Sequence, residues 1–211
     1  MDLYSGLPYW IAKNPLFNYF NPLISNHTSE IVIIGSGITG ALVAHELCKA
    51  GMECTMIDKR DISTGSSAAS TALLQYEIDT PLCDLINFVG ELPAVKAYKS
   101  CLQSITDIEN VFRETGVEAN FKRVPSVFYA SNLSGLRRIK REYDIRKKYN
   151  LPVQFLKRKE LLEKYTIKAP GALENNESAQ IDTYKAATGL INYHMQNSGL
   201  KVFTHTTIEK Y

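Results

Sequence analysis

Glu30-Ile31-Val32-Ile33-Ile34-Gly35-Ser36-Gly37-Ile38-Thr39-Gly40 is the stretch that decides the fold. A continuous apolar run rich in β-branched residues, stopped by glycine, is how a buried parallel strand is written. Beyond the glycines, Ala41, Leu42, Ala44, His45, Leu47 and Cys48 keep a helical spacing, and Gly51 is placed to close the helix. Cys54-Thr55-Met56-Ile57 then spells a second short strand that ends at Asp58. The result is a β-α-β unit, whose two strands lie parallel in one sheet.

The glycines carry chemistry as well as shape. Gly35, Gly37 and Gly40 leave a strand, open a helix and have an acid 18 residues after the last of them, which is the full context of a dinucleotide-binding turn. Gly35 permits the sharp turn, Gly37 lets a pyrophosphate approach the backbone, and Gly40 lets the helix pack close to the sheet. The helix N-terminus adds unpaired N–H groups and a positive dipole end. Asp58 is placed to accept hydrogen bonds from a ribose diol, and its charge disfavours NADP. The competing explanation is a ligand-free glycine turn with Asp58 as a cap, and it leaves that combined context unaccounted for.

Outward from this unit, 211 residues make about one and a half ordinary domains. Hydrophobic residues at 45% and charged residues at 22% exclude a disordered chain, and 12 Gly and 8 Pro exclude collagen. Four cysteines form no CxxC pair and no zinc-like cluster, so reduced thiols in a cytoplasmic protein are the expectation, with no metal site. The start of the chain does not read as a signal peptide, and no apolar run reaches a membrane span.

Residues 1–29 carry Tyr9, Trp10, Phe17, Tyr19 and Phe20 among Pro8, Pro15 and Pro22. They predict an extended arm, not a helix, pinned by its aromatics. Past Asp58 lies the small-residue stretch Ser63–Ala72. Helical patterning resumes near Pro81, a long helix spans about 91–115, and a strand covers 124–130. A basic helix over 133–149, a short strand at 153–155 and a brief helix near 159–164 follow. Then come a strand from Gly171, a helix over 183–197 and a last strand from Lys201 to His205. Three parallel strands are predicted in all, at 31–34, 54–57 and 201–205.

Charge is unevenly spread. Residues 1–130 hold 9 basic against 14 acidic residues, and residues 131–211 hold 15 against 8. The excess centres on Arg137, Arg138, Lys140, Arg141, Arg146, Lys147 and Lys148. Leu133, Leu136, Ile139 and Tyr143 recur at helical spacing beside them, which turns the basic residues mostly toward water. No aromatic residues interleave as base-stacking platforms, so a nucleic-acid partner is not expected. His27, His45, His194 and His205 neighbour no nucleophile or acid in sequence and read as structural or exposed.

Ile31–Gly40, Ala50-Gly51, Met56-Ile57-Asp58-Lys59 and Gly65-Ser66-Ser67-Ala68-Ala69-Ser70-Thr71-Ala72-Leu73-Leu74 together resemble the D-amino-acid-oxidase/glycine-oxidase-like FAD-dependent oxidoreductases. Pro170–Leu173 and Gln180–Tyr184 extend the likeness over about residues 30–211, and the arm is vaguely similar to glutamylputrescine oxidase-like proteins. The resemblance implies a Rossmann-like α/β fold with FAD as cofactor, and a small-molecule amine or amino acid as substrate. Gly35, Ser36, Gly37, Ile38, Thr39 and Gly40 would hold the pyrophosphate, with Asp58 and Lys59 at the adenosine ribose. Ser66 and Ser67 would meet phosphate or ribityl oxygens, and Thr71, Ala72 and Leu73 would lie along the isoalloxazine. Ile208 would pair its backbone with adenine. The family often has glycine where Ala72 stands, and usually Glu where Asp58 stands.

The expected organisation is an arm at 1–29, a first part of the FAD domain at 30–120, part of an α+β substrate domain at 121–180, and a second FAD part at 181–211. The family's substrate-anchoring residues have no counterpart before Tyr211, so the chain is expected to be the N-terminal portion of a larger enzyme, inactive alone. Two other classes stay open. One is a non-catalytic dinucleotide-binding module that docks through the basic helix; the other is a flavin enzyme of tRNA modification.

Overall fold

The computed structural model describes residues 6–14 and 19–209. From the N-terminus the elements are α1 (Tyr9–Lys13), β1 (Ile31–Ile34), α2 (Ile38–Lys49), β2 (Cys54–Ile57), a 3-10 turn (Ser66–Ala69) and β3 (Leu73–Leu74). Next come α3 (Leu82–Val89), α4 (Glu91–Thr115), β4 (Lys122–Arg123), β5 (Ser126–Tyr129) and α5 (Leu133–Lys148). The last are β6 (Gln154–Lys157), α6 (Arg158–Tyr165), β7 (Gly171–Asn175), β8 (Ala179–Gln180), α7 (Thr183–Asn197) and β9 (Lys201–Phe203).

The chain divides into two compact units. The first comprises Met1–Ala72, Val111–Phe121 and Ile181–Tyr211. Its sheet runs β1-β2-β9, all parallel, with Ile33 opposite Met56 and Met56 opposite Val202. These are the three strands the sequence predicts. α2 lies against β1 and β2, and α7 packs on α2, burying Ala41 and Ala44 from one helix and Ala186, Ala187, Leu190 and Ile191 from the other. On the opposite face the arm covers β2 and β9. His27 Nε2 sits 2.8 Å from Thr55 Oγ1, its ring meets Phe203 edge-on, and Thr204 Oγ1 donates to Phe20 O at 2.8 Å.

Two expectations need correction in this unit. The arm is not extended throughout, because residues 9–13 form a helical turn directly after Pro8. Proline disfavours helix before itself but is compatible with a helix start, where its missing N–H goes unused. Of the aromatics expected to pin the arm, Phe20 is buried, Tyr9 and Tyr19 are exposed, and Phe17 lies outside the described residues. Second, the apolar run of β1 is not buried on both faces. Among the described residues β1 ends the sheet, and Val32 and Ile34 are 47% and 61% exposed.

The second unit comprises Leu73–Asn110 and Lys122–Gln180. An antiparallel sheet, β5-β7-β6, is sandwiched between two helices. Alternation along β7 divides the core. Leu173 and Phe155 pack with Ile139, Leu136 and Tyr143 of α5 on one face, while Ala172 and Leu156 pack with Leu161 and Tyr165 of α6 on the other. Three two-residue strands form a small second sheet, β3-β8-β4. A boundary at residue 120 is therefore too simple, since residues 73–110 belong with this unit. The cause is a buried polar knot. Glu142 of α5 accepts from Leu82 N and Cys83 N at 2.9 and 2.8 Å, capping the start of α3. Arg146, one turn on, bonds Glu142 at 2.7 Å and Glu77 at 3.0 Å and lies over Tyr76 and Tyr98. Arg146 is thus 2% exposed, against the expectation that it faces water.

Candidate functional site

The glycine turn rises from the carboxyl end of β1. Gly35 sits at φ +101°, a conformation L side chains rarely adopt, and its N–H donates to Ile57 O at 2.8 Å, extending the ladder past the strand. Gly40 is required for a different reason. A Cβ there would stand 2.0 Å from Gly35 O and 3.6 Å from Ile33 Cγ2, so α2 and the turn touch backbone to backbone. At Gly37, the N-cap of α2, the space a Cβ would need is held by Ser67 Oγ, 2.9 Å away. That hydroxyl accepts from Ile38 N at 2.9 Å and so satisfies one of the unpaired donors at the helix start. The N–H groups of Thr39 and Gly40 are the next two at the start of α2, on the end where the helix dipole is positive.

Asp58 ends β2, where its N–H donates to Phe203 O at 2.9 Å. Its carboxylate ties the loops together. Oδ2 accepts from Ser36 N at 2.8 Å and from Ser36 Oγ at 2.6 Å, and Oδ1 accepts from Arg60 N at 2.9 Å. A carboxylate has about four acceptor positions, and these bonds occupy three of them. Ser36 is fully buried and is itself gripped by Ser63, whose Oγ donates to Ser36 O at 3.0 Å. Thr206 N donates to Asp58 O at 3.0 Å, which draws the segment leading to half-buried Ile208 beside the acid. Lys59 is exposed and borders a cavity of about 480 Å³.

The small-residue stretch folds back against the turn. Ser66 and Thr71 are exposed, while Ser67 is buried, with its carbonyl accepting from Thr183 Oγ1 at 2.6 Å. Ala72 is buried at φ +61°, and its carbonyl accepts from Ile181 N at 3.0 Å. Leu73 belongs to the second unit, where it pairs with Gln180. Within the first unit, Gly35–Gly40, Asp58 and Ser67 are thus brought together by direct hydrogen bonds or contacts.

Sequence reasoning missed several contributors. Ser63 supports the loop at φ +58°, Asp182 caps α7 by accepting from Lys185 N at 3.0 Å, and Trp10 Nε1 donates to Ser70 O at 2.8 Å. Asp182 had a local signal, an acid directly before a helix start; Trp10 was expected among the aromatics that pin the arm, but neither its partner nor that of Ser63 could be read from the sequence. His45 and His194 prove to be partners, with Nδ1 of one 3.0 Å from Nε2 of the other, at the α2–α7 contact. Burial lowers the pKa of both, so each imidazole is held neutral. Among the described residues no group of three or more His, Cys, Asp or Glu could hold a metal ion, and no helix is long and apolar enough to cross a membrane.

Residues 30–211 match the family model described as FAD dependent oxidoreductase (DAO). Among solved structures, L-proline dehydrogenase from P. horikoshii aligns with a TM-score of 0.70 at 24% identity, over 89% of this chain and 46% of that one. Glycine oxidase from Geobacillus kaustophilus aligns with a TM-score of 0.69 at 20% identity, over 85% and 47%. A curated relative, aerobic glycerol-3-phosphate dehydrogenase of Staphylococcus haemolyticus (strain JCSC1435), is 37% identical over 51 residues, 24% of this chain and 9% of that protein. The chain spans less than half the length of each of these proteins.

Proposed function

Since the chain belongs to the FAD-dependent oxidoreductase (DAO) family, we propose that its first unit holds FAD and that its second is part of a substrate-binding domain. The whole protein would then oxidise a C–N bond of an amine or amino acid. The observation that carries this is the junction of Gly37, Ser67 and Ile38. There a distant loop is locked onto the start of α2 by a hydroxyl bonded to a helix-terminal N–H. Gly35–Gly40 would receive the pyrophosphate, with the N–H groups of Thr39 and Gly40 as donors. Asp58 would take one ribose hydroxyl, with Lys59 and the backbone near Ile208 toward the adenine. Ser66 is exposed for a phosphate or ribityl oxygen, and Thr71, Ala72 and Leu73 would border the ring system. FAD, when bound, supplies the hydride-accepting chemistry. The residues described here bind and orient, and the 211-residue chain alone would not turn over substrate.

Trp10 makes a direct test of binding possible. It is the sole tryptophan and is bonded to the loop carbonyl at Ser70. Saturable quenching of its emission by FAD, and not by NADP, is the expected outcome; a flat FAD titration, with no flavin retained, would remove the reading. For chemistry, the complete flavoprotein is mixed anaerobically with amines, amino acids and glycerol 3-phosphate. Bleaching of the flavin band by amines or amino acids is expected, and bleaching by glycerol 3-phosphate alone would replace the C–N assignment with alcohol oxidation.

A further inference from the structure

Residues 8–14 lie outside the glycine motif, yet one hydrogen bond ties them directly to the loop proposed to receive the cofactor and a second ties them to the helix start that holds that loop. The first runs from Trp10 Nε1 to Ser70 O, 2.8 Å. The second is buried: Asn14 Nδ2 donates to Asp182 Oδ2 at 2.5 Å, with Asn14 8% and Asp182 1% exposed. Asp182 is the N-cap of α7, and the next residue, Thr183, donates its hydroxyl to Ser67 O at 2.6 Å. Ser67 in turn accepts from Ile38 N. A chain of contacts therefore runs from Asn14 through Asp182, Thr183 and Ser67 to the helix start expected to face the pyrophosphate. The arm also supplies Leu7, Pro8 and Ile11 as a wall of the cavity that Lys59 and Thr64 border.

The loop between has a reason to need support. Ser63 and Ala72, at its two ends, hold φ +58° and +61°. Non-glycine residues keep such angles only where their surroundings over-determine them. An arm serving only to cover apolar surface would not place a buried amide against a buried carboxylate, where loss of either partner removes a buried hydrogen bond although each keeps a second one, Asn14 to Trp10 O and Asp182 from Lys185 N.

We propose that Pro8–Asn14 is a brace that holds the Ser63–Ala72 loop in its cofactor-accepting shape, with Asn14 and Trp10 as positioning residues. This rests on the assignment of that loop to FAD. The test uses the 211-residue chain with Asn14→Asp, which sets two carboxylates against each other, and with Trp10→Phe, which keeps a ring and removes the donor. The double exchange Asn14→Asp with Asp182→Asn restores the hydrogen bond in the reverse sense and retains an N-cap acceptor. Amide hydrogen exchange is measured without flavin, and FAD affinity by flavin fluorescence. Faster exchange confined to residues 63–72 is expected in both single variants, with FAD affinity lower by about three- to tenfold, the size of one lost hydrogen bond. The double exchange returns both readouts to within about twofold of wild type. Unaltered exchange in the single variants overturns the brace, and so does faster exchange with unaltered FAD affinity. If the wild-type chain binds no FAD, the functional assignment fails by itself, and exchange with its rescue still decides on the brace.

Discussion

Ala72 carries a side chain where the backbone favours none. At φ +61° and 2% exposure it bears the left-handed strain of about 1–2 kcal/mol that glycine escapes. Ala72→Gly should therefore be nearly neutral, within about 1 kcal/mol, because relief of the strain is offset by the unfolded-state entropy of glycine and by loss of a buried methyl, read as an almost unchanged urea midpoint. The motif glycines should behave differently and unequally. Gly40→Ala drives a Cβ into the Gly35 carbonyl, which cannot rotate away, and should prevent folding. Gly37→Ala meets only the Ser67 hydroxyl and should cost about 1–3 kcal/mol, partly recovered by adding Ser67→Ala. Urea unfolding of the three variants checks the order. His45 and His194 set a pH limit. Their folded pKa values lie below the unfolded 6.5, chiefly through burial, with Glu46, Lys49 and Glu114 as lesser influences on His45. Stability should be complete above that value and fall as acid protonates the unfolded chain first, until the folded pKa is passed. Midpoints compared between about pH 7.5 and about pH 5.5 should drop in wild type and drop less in His45→Leu. At this scale the glycines were legible because their spacing is local. The Ser36–Asp58–Ser63 grip was not, since serine gives no sign of its partners across 22 and 27 residues.

Helices and long strands announce themselves by period, and so the β-α-β unit, the 91–115 helix and the 183–197 helix were readable directly. β3, β4 and β8 have two residues each, too few to show any period. α5 shows the subtler failure. Its apolar stripe marked one face correctly, but the flank bearing Glu142 and Arg146 is covered too, by partners more than fifty residues away in sequence. A charge reads as water-facing until its counter-charge is located. Arg146→Met should accordingly destabilise the chain by about 3–5 kcal/mol, because Glu142 and Glu77 would remain buried without it. Loss of the thermal transition near physiological temperature, or a lower urea midpoint, would register this. A change below about 1 kcal/mol would mean that water reaches the site.

Across the whole molecule, the charge asymmetry proves to be partly internal to the second unit. Arg138 pairs with Asp84, Lys148 with Glu91, and Arg146 with Glu77 and Glu142. A titration of the chain with RNA should show at most weak binding, since three of the seven basic residues on and beside α5 are committed to ion pairs and no aromatic residues interleave as base-stacking platforms; tight binding with a steep salt slope would reopen the tRNA-modification alternative. The end position of β1 has a practical consequence as well. In a parallel ladder alternate residues bond to one side, so those of Ile31 and Ile33 engage β2 while the N–H and C=O groups of Val32 and Ile34 point the other way. Four successive β-branched residues with a row of outward backbone groups form a template on which copies of the chain can stack. Concentrated solutions should cloud on standing, by scattering and thioflavin staining, and Val32→Lys should delay it by charging the growing edge.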